Sequence, residues 1–68
     1  MGEEIEPDGV ILEFVRLGPL IRVSAIDPKS LTEVVLQAPA ATGKAVLRRA
    51  VLRKLVSVLR RRRPAGAG

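Results

Sequence analysis

Val10 to Ile26 reads VILEFVRLGPLIRVSAI. Two runs of aliphatic and β-branched residues flank Gly18-Pro19, so Val10–Leu17 and Leu20–Ile26 read as the strands of a hairpin. A two-residue turn with Gly first is type II′, and Pro suits the negative φ of its second position. Centring the hairpin there pairs Leu17 with Leu20. It also pairs Phe14 with Val23 and Leu12 with Ala25 on one face. The other face pairs Val15 with Arg22, Glu13 with Ser24 and Ile11 with Ile26.

Working outward, Asp27-Pro28-Lys29-Ser30-Leu31 is turn material, and Thr32–Ala38 (TEVVLQA) is a third strand that Pro39 stops. If Asp27 faces Thr32, then Ala25 meets Val34 and Val23 meets Leu36. One face then holds Leu12, Phe14, Ile21, Val23, Ala25, Val34 and Leu36, with Arg16 its one charged member near the turn. A loop of this length often ends on a left-handed residue, favouring Gly or Asn, yet Leu31 falls there. The expectation is a different loop shape or a Leu31 packed on something.

From Thr42, a plausible N-cap, the period becomes 3.6. Leu47, Val51, Leu52, Leu55, Val58 and Leu59 gather on one side. Arg49, Arg53, Lys54, Ser57, Arg60 and Arg61 gather on the other, with Arg48 and Val56 each on the wrong side for its type. An apolar sheet face and an apolar helix stripe cover each other. The sequence therefore predicts an α+β domain: a three-stranded antiparallel meander with one C-terminal helix on one face, a two-layer βββα order. Residues 1–8 read as a flexible acidic arm, 9–63 as the domain and 64–68 as a disordered tail.

Composition bounds the function. A chain of 68 residues buries only about 60% of its unfolded surface, and small domains commonly gain stability from disulfides, metals or association. With no Cys and no His, thiolate sites and the commonest neutral-pH base are excluded. No cofactor is expected. No run approaches the roughly 18 apolar residues of a membrane span, and the acidic start is unlike a signal peptide, so the expected location is cytoplasmic. Charge is segregated. Seven acids face three basic residues before Lys44, a balance of −4, and from Lys44 onward there are nine basic residues and no acid.

Ala38–Ala45 (APAATGKA) sits where a phosphate-binding loop would, but Ala38 replaces the first Gly and Ala45 the hydroxyl residue, so it reads as a plain connection. Glu13 and Glu33 share a sheet face with no cleft to tune them and read as solvated strand residues. Two surfaces remain. The candidate basic surface is Lys44, Arg49, Arg53, Lys54, Arg60 and Arg61. The candidate association face is Ile11, Val15, Leu17, Leu20, Ile26 and Val35, six aliphatics that one helix cannot cover.

The segments Glu13–Gly18, Val23–Pro28, Thr32-Glu33-Val34 and Leu52–Leu55 resemble a family of small alphaproteobacterial proteins, a domain of unknown function. The resemblance spans roughly residues 10–60 and implies a compact intracellular domain with no assigned activity. It carries no catalytic residue over.

The expected function is a non-enzymatic interaction module. It would associate with itself or a protein partner through the open sheet face, the basic helix face, or both. The alternative is a nucleic-acid-binding accessory protein that uses the basic helix to neutralise phosphates. With Phe14 in the core, no aromatic is left for base stacking. The strand order is similar to the C-terminal part of a double-stranded-RNA-binding domain, without that family's N-terminal helix and dense lysine cluster.

Overall fold

Gly18 takes a φ of 61°, the positive value its turn demands, and closes the central hairpin. The structure, a computed structural model, describes residues 2–62. The expected tail over residues 64–68 lies outside them. Four strands form: β1 (Gly2–Ile5), β2 (Ile11–Leu17), β3 (Leu20–Asp27) and β4 (Thr32–Pro39). A 3-10 turn at Ala40–Thr42 leads into helix α1 (Lys44–Arg61). The sheet is fully antiparallel, ordered β1-β2-β3-β4.

The central register is the one the turns dictate. Phe14 pairs with Val23, Leu12 with Ala25, and Asp27 with Thr32. Leu12, Phe14, Ile21, Val23, Ala25 and Val34 are buried beneath Leu47, Val51 and Leu55 of the helix. Leu36 packs at the margin of this core. Full burial of an aliphatic or Phe side chain stabilises by about 1.5–3 kcal/mol, so Leu12, Phe14, Val23 and Val51 anchor the two layers. Arg16 stays exposed and donates to the Gly18 carbonyl.

Four expectations are corrected. The meander has four strands, not three, because residues 2–5 of the expected arm pair with β2. Their turn is closed by the Gly9 amide donating to the Glu6 carbonyl at 2.8 Å, with Pro7-Asp8 central and Gly9 at φ 94°. The Glu6 amide also reaches the Val10 carbonyl, and Asp8 Oδ1 accepts from the Val10 amide. Secondly, Gly43 at φ 91°, not Thr42, caps the helix, because the 3-10 turn carries Thr42 out of place. Gly there costs only a few tenths of a kcal/mol relative to a side-chain cap. Thirdly, Leu31 keeps the left-handed conformation, φ 59°, while 82% exposed. The loop has its ordinary shape and the leucine bears the strain. Ser30 Oγ donates to Asp27 Oδ2 at 2.7 Å and holds that turn.

Fourthly, Pro39 lies within β4 rather than just beyond it. The Ala40 amide donates to the Pro19 carbonyl, which sets the phase of the β3–β4 ladder. Alternate residues of an antiparallel strand turn both backbone groups to the same side. Pro39 thus occupies an outward-facing position where its missing N–H costs no ladder bond.

Candidate functional site

Helix α1 has two flanks and a crest. Arg48, which helical spacing places on the apolar side, lies on the flank that β1 approaches. Glu4 pairs with Leu12 and so shares the helix-covered sheet face. Its Oε2 accepts from Lys44 Nζ at 3.0 Å, and its Oε1 accepts from Arg48 Nε at 3.1 Å and from Arg48 Nη2. Lys44 Nζ also stands 4.7 Å from the centroid of the Phe14 ring, and the Arg48 guanidinium 6.0 Å from it. The hydrogen bonds from Arg48 and Lys44 hold the Glu4 carboxyl below its ordinary value, and Glu4 raises Arg48. One carboxylate thereby ties the N-terminal strand to the first two turns of the helix. The basic residue that broke the amphipathic pattern is the one this strand recruits.

Of the six residues of the candidate basic surface, Lys44 is therefore engaged. So is Lys54, whose Nζ donates to the Val35 carbonyl at 2.9 Å on the β4 edge. Arg49, Arg53, Arg60 and Arg61 are exposed and make no side-chain hydrogen bond or ion pair among the described residues. Arg49 and Arg60 fall on the crest beside exposed Val46 and Val56, and Arg53 at its border with the flank toward β4. Val56, the other residue out of pattern, is simply solvent-facing. The flank toward β4 carries a groove of about 460 Å³ lined by Arg53, Lys54, Ser57 and Arg61.

The candidate association face is uncovered among the described residues, but it is a mosaic. Register places Ile5, Ile11 and Ile26 in one row at the end nearest the β1–β2 turn. Leu17 and Leu20 meet at the opposite end. Between them run the rows Glu3–Glu13–Ser24–Val35 and Val15–Arg22–Gln37. Ile5 is 69% exposed, and Leu17, Leu20 and Val35 are also exposed. Ile11, Val15 and Ile26 are half-buried. Ile5 is a member that sequence reasoning missed. The turn signal Glu6-Pro7-Asp8-Gly9-Val10 could have found it, since Pro, Asp and Gly at those positions specify a reverse turn and hence a strand on its far side.

A cleft of about 290 Å³ opens at the end where the β1–β2 and β3–β4 turns lie. Its apolar lining includes Val10, Leu52 and Leu59, and its charged lining Glu6, Asp8, Asp27 and Lys29. The hydrogen bond from Ser30 keeps the Asp27 carboxyl below its ordinary value. That bond joins a hydroxyl to a carboxylate, but it is exposed and serves the turn. Among the described residues no three His, Cys, Asp or Glu side chains gather as a metal site. No described helix is long and apolar enough to cross a membrane. In the phosphate-loop-like stretch, Lys44 is directed to Glu4. Glu13 and Glu33 are exposed on the open face, on strands separated by β3.

The architecture is thus an α+β two-layer domain, a four-stranded antiparallel sheet under one C-terminal helix. The chain belongs to the family described as a domain of unknown function, DUF6898, whose pattern it matches over residues 7–62. That span begins within the β1–β2 turn and ends at the close of the helix. No curated protein and no solved structure matches the chain.

Proposed function

We propose that the chain is a cytoplasmic, non-enzymatic association module that pairs with a second copy of itself through the open sheet face. The observation that carries this reading is the uncovered face itself. Exposed Ile5, Leu17, Leu20 and Val35 and half-buried Ile11, Val15 and Ile26 stand on one side of the sheet, opposite the helix. Opposite charges on the same face, Glu13 and Arg22, lie one row apart on adjacent strands. In a two-fold contact the Glu13 of one copy can meet the Arg22 of the other. Four strands at about 4.8 Å and some seven residues at about 3.3 Å give a face on the order of 400 Å². That is below the roughly 800 Å² per partner of a standard interface, so the contact is a transient one. Amide spectra of dilute and concentrated protein test it. Concentration-dependent shifts are expected at Val15, Ser24 and Ile26. Shifts confined to helix amides would contradict it.

A second reading rests on Arg49, Arg53, Arg60 and Arg61, which are exposed and make no side-chain hydrogen bond or ion pair among the described residues. Such a crest suits phosphate contacts on a nucleic acid, and its signature is binding that weakens steeply with salt.

A further inference from the structure

β4 is an outer strand of the sheet, eight residues long, and the phase set by the Ala40–Pro19 bond turns the backbone groups of Glu33, Val35 and Gln37 to the open edge. An unpaired edge is a template for another strand. Here it runs beneath the basic flank of the helix, where Arg53, Lys54 and Arg61 line a groove without an acid among its lining residues. Lys54 Nζ takes up the outward Val35 carbonyl, the place a neighbouring strand's N–H would fill.

The opposite side of the same sheet shows what such an arrangement binds. There the outer edge of β2 also runs beneath two cations of the helix, Lys44 and Arg48. It is occupied by an extended acidic segment, Gly2-Glu3-Glu4-Ile5, whose Glu4 carboxylate lies between them. The molecule thus carries two edges under basic helix flanks, one filled by its own acidic strand and the other open among the described residues. We propose that the β4 edge takes up an extended acidic segment of a partner protein as a fifth strand. The segment's backbone would pair with Glu33, Val35 and Gln37, and its carboxylates would meet Arg53, Lys54 and Arg61. Lys54 would exchange the Val35 carbonyl for a carboxylate. Main-chain pairing supplies affinity in this mode and the charges supply selectivity.

The surface is distinct from the open sheet face, so the test is made on the Val15→Lys variant. Loss of pairing between copies and loss of peptide binding are then read separately. The probe is a blocked peptide with the sequence of residues 2–6, titrated at low salt into isotope-labelled protein. Saturable shifts and slowed exchange at the amides of Glu33, Val35 and Gln37 are expected. A control peptide with lysine in place of each glutamate should leave them unmoved. Arg53→Glu combined with Arg61→Glu alters two exposed side chains without hydrogen bonds among the described residues, so the fold is kept. Affinity should fall by about tenfold or more. The proposal is overturned by shifts at β2 amides, which mean displacement of β1, or by no response at the three β4 amides. Affinity indifferent to the charge reversals would also overturn it. So would a short DNA duplex that moves the basic flank while the peptide does not, which would make this flank a nucleic-acid surface.

Discussion

Glu4 and Arg48 meet across 44 residues of chain, Arg48 Nε donating to Glu4 Oε1 at 3.1 Å. With Lys44, this contact fastens the shortest strand of the sheet to the start of the helix. Beyond the β1–β2 ladder and the hydrogen bonds of its turn, no apolar packing holds β1 there. Its residues are exposed or half-buried, and none belongs to the buried core.

Glu4→Gln is therefore expected to loosen β1 while the rest of the domain stays folded. Amide exchange should speed up at Glu4 and Glu6, whose amides face β2, and remain slow at Val23 and Val51. The same bond has a pH signature. The Glu4 value is depressed below 4.5 in the folded chain by Arg48 and Lys44. Its contribution is complete above 4.5 and is lost as pH falls through the lower folded value. Protection of β1 should fade with acid in the wild type, and that dependence should disappear in Glu4→Gln.

Phe14 is 1% exposed at the centre of the core and lies beneath the Lys44 ammonium. Phe14→Ala should cost about 3–5 kcal/mol, a large share of the stability of a small domain. Thermal melting checks it, with a large fall in midpoint or loss of the transition expected.

Leu31 makes the opposite prediction. Its left-handed backbone costs roughly 1–2 kcal/mol for a residue with a Cβ, and its side chain is 82% exposed. Leu31→Gly removes that strain but gives the unfolded chain more freedom. A net gain of about 0.5–1 kcal/mol is expected, seen as a higher melting midpoint.

If the helix crest contacts phosphates, duplex binding should fall with log salt at a slope of about −0.9 per phosphate. Arg53→Glu with Arg60→Glu should then weaken binding to every sequence alike, since phosphate contacts do not read bases. Filter binding across a salt series checks this. If the crest is only solvated, the reversals should leave the melting midpoint nearly unchanged.

What was legible in the sequence followed from local rules. Gly18-Pro19 fixed one turn and Asp27–Leu31 the other, and alternation along Leu12–Phe14 and Ile21–Ala25 left one register that buries a whole face. β1 was hidden because Gly2-Glu3-Glu4-Ile5 has no apolar alternation to bury. Its partners, Lys44 and Arg48, lie far along the chain, and only the Pro7-Asp8-Gly9 turn and the misplaced Arg48 hinted at it. Thr42 misled because the 3-10 turn after Pro39 shifts the helix start by one residue. The basic surface was visible as a helix face. Which of its members are engaged was not, since the bonds of Lys44 and Lys54 depend on strands brought in by tertiary packing.

The central claim, pairing of two copies through the open sheet face, is tested most directly by sedimentation over a concentration series of wild type and Val15→Lys. Val15 is half-buried on that face beside Arg22. A lysine there adds a second cation to its row and desolvation costs to any contact. Wild type is expected to form a dimer with a Kd on the order of tens of micromolar, and Val15→Lys to stay monomeric throughout. A wild type that remains monomeric at about 1 mM, or a Val15→Lys that dimerises as well as wild type, would contradict the account.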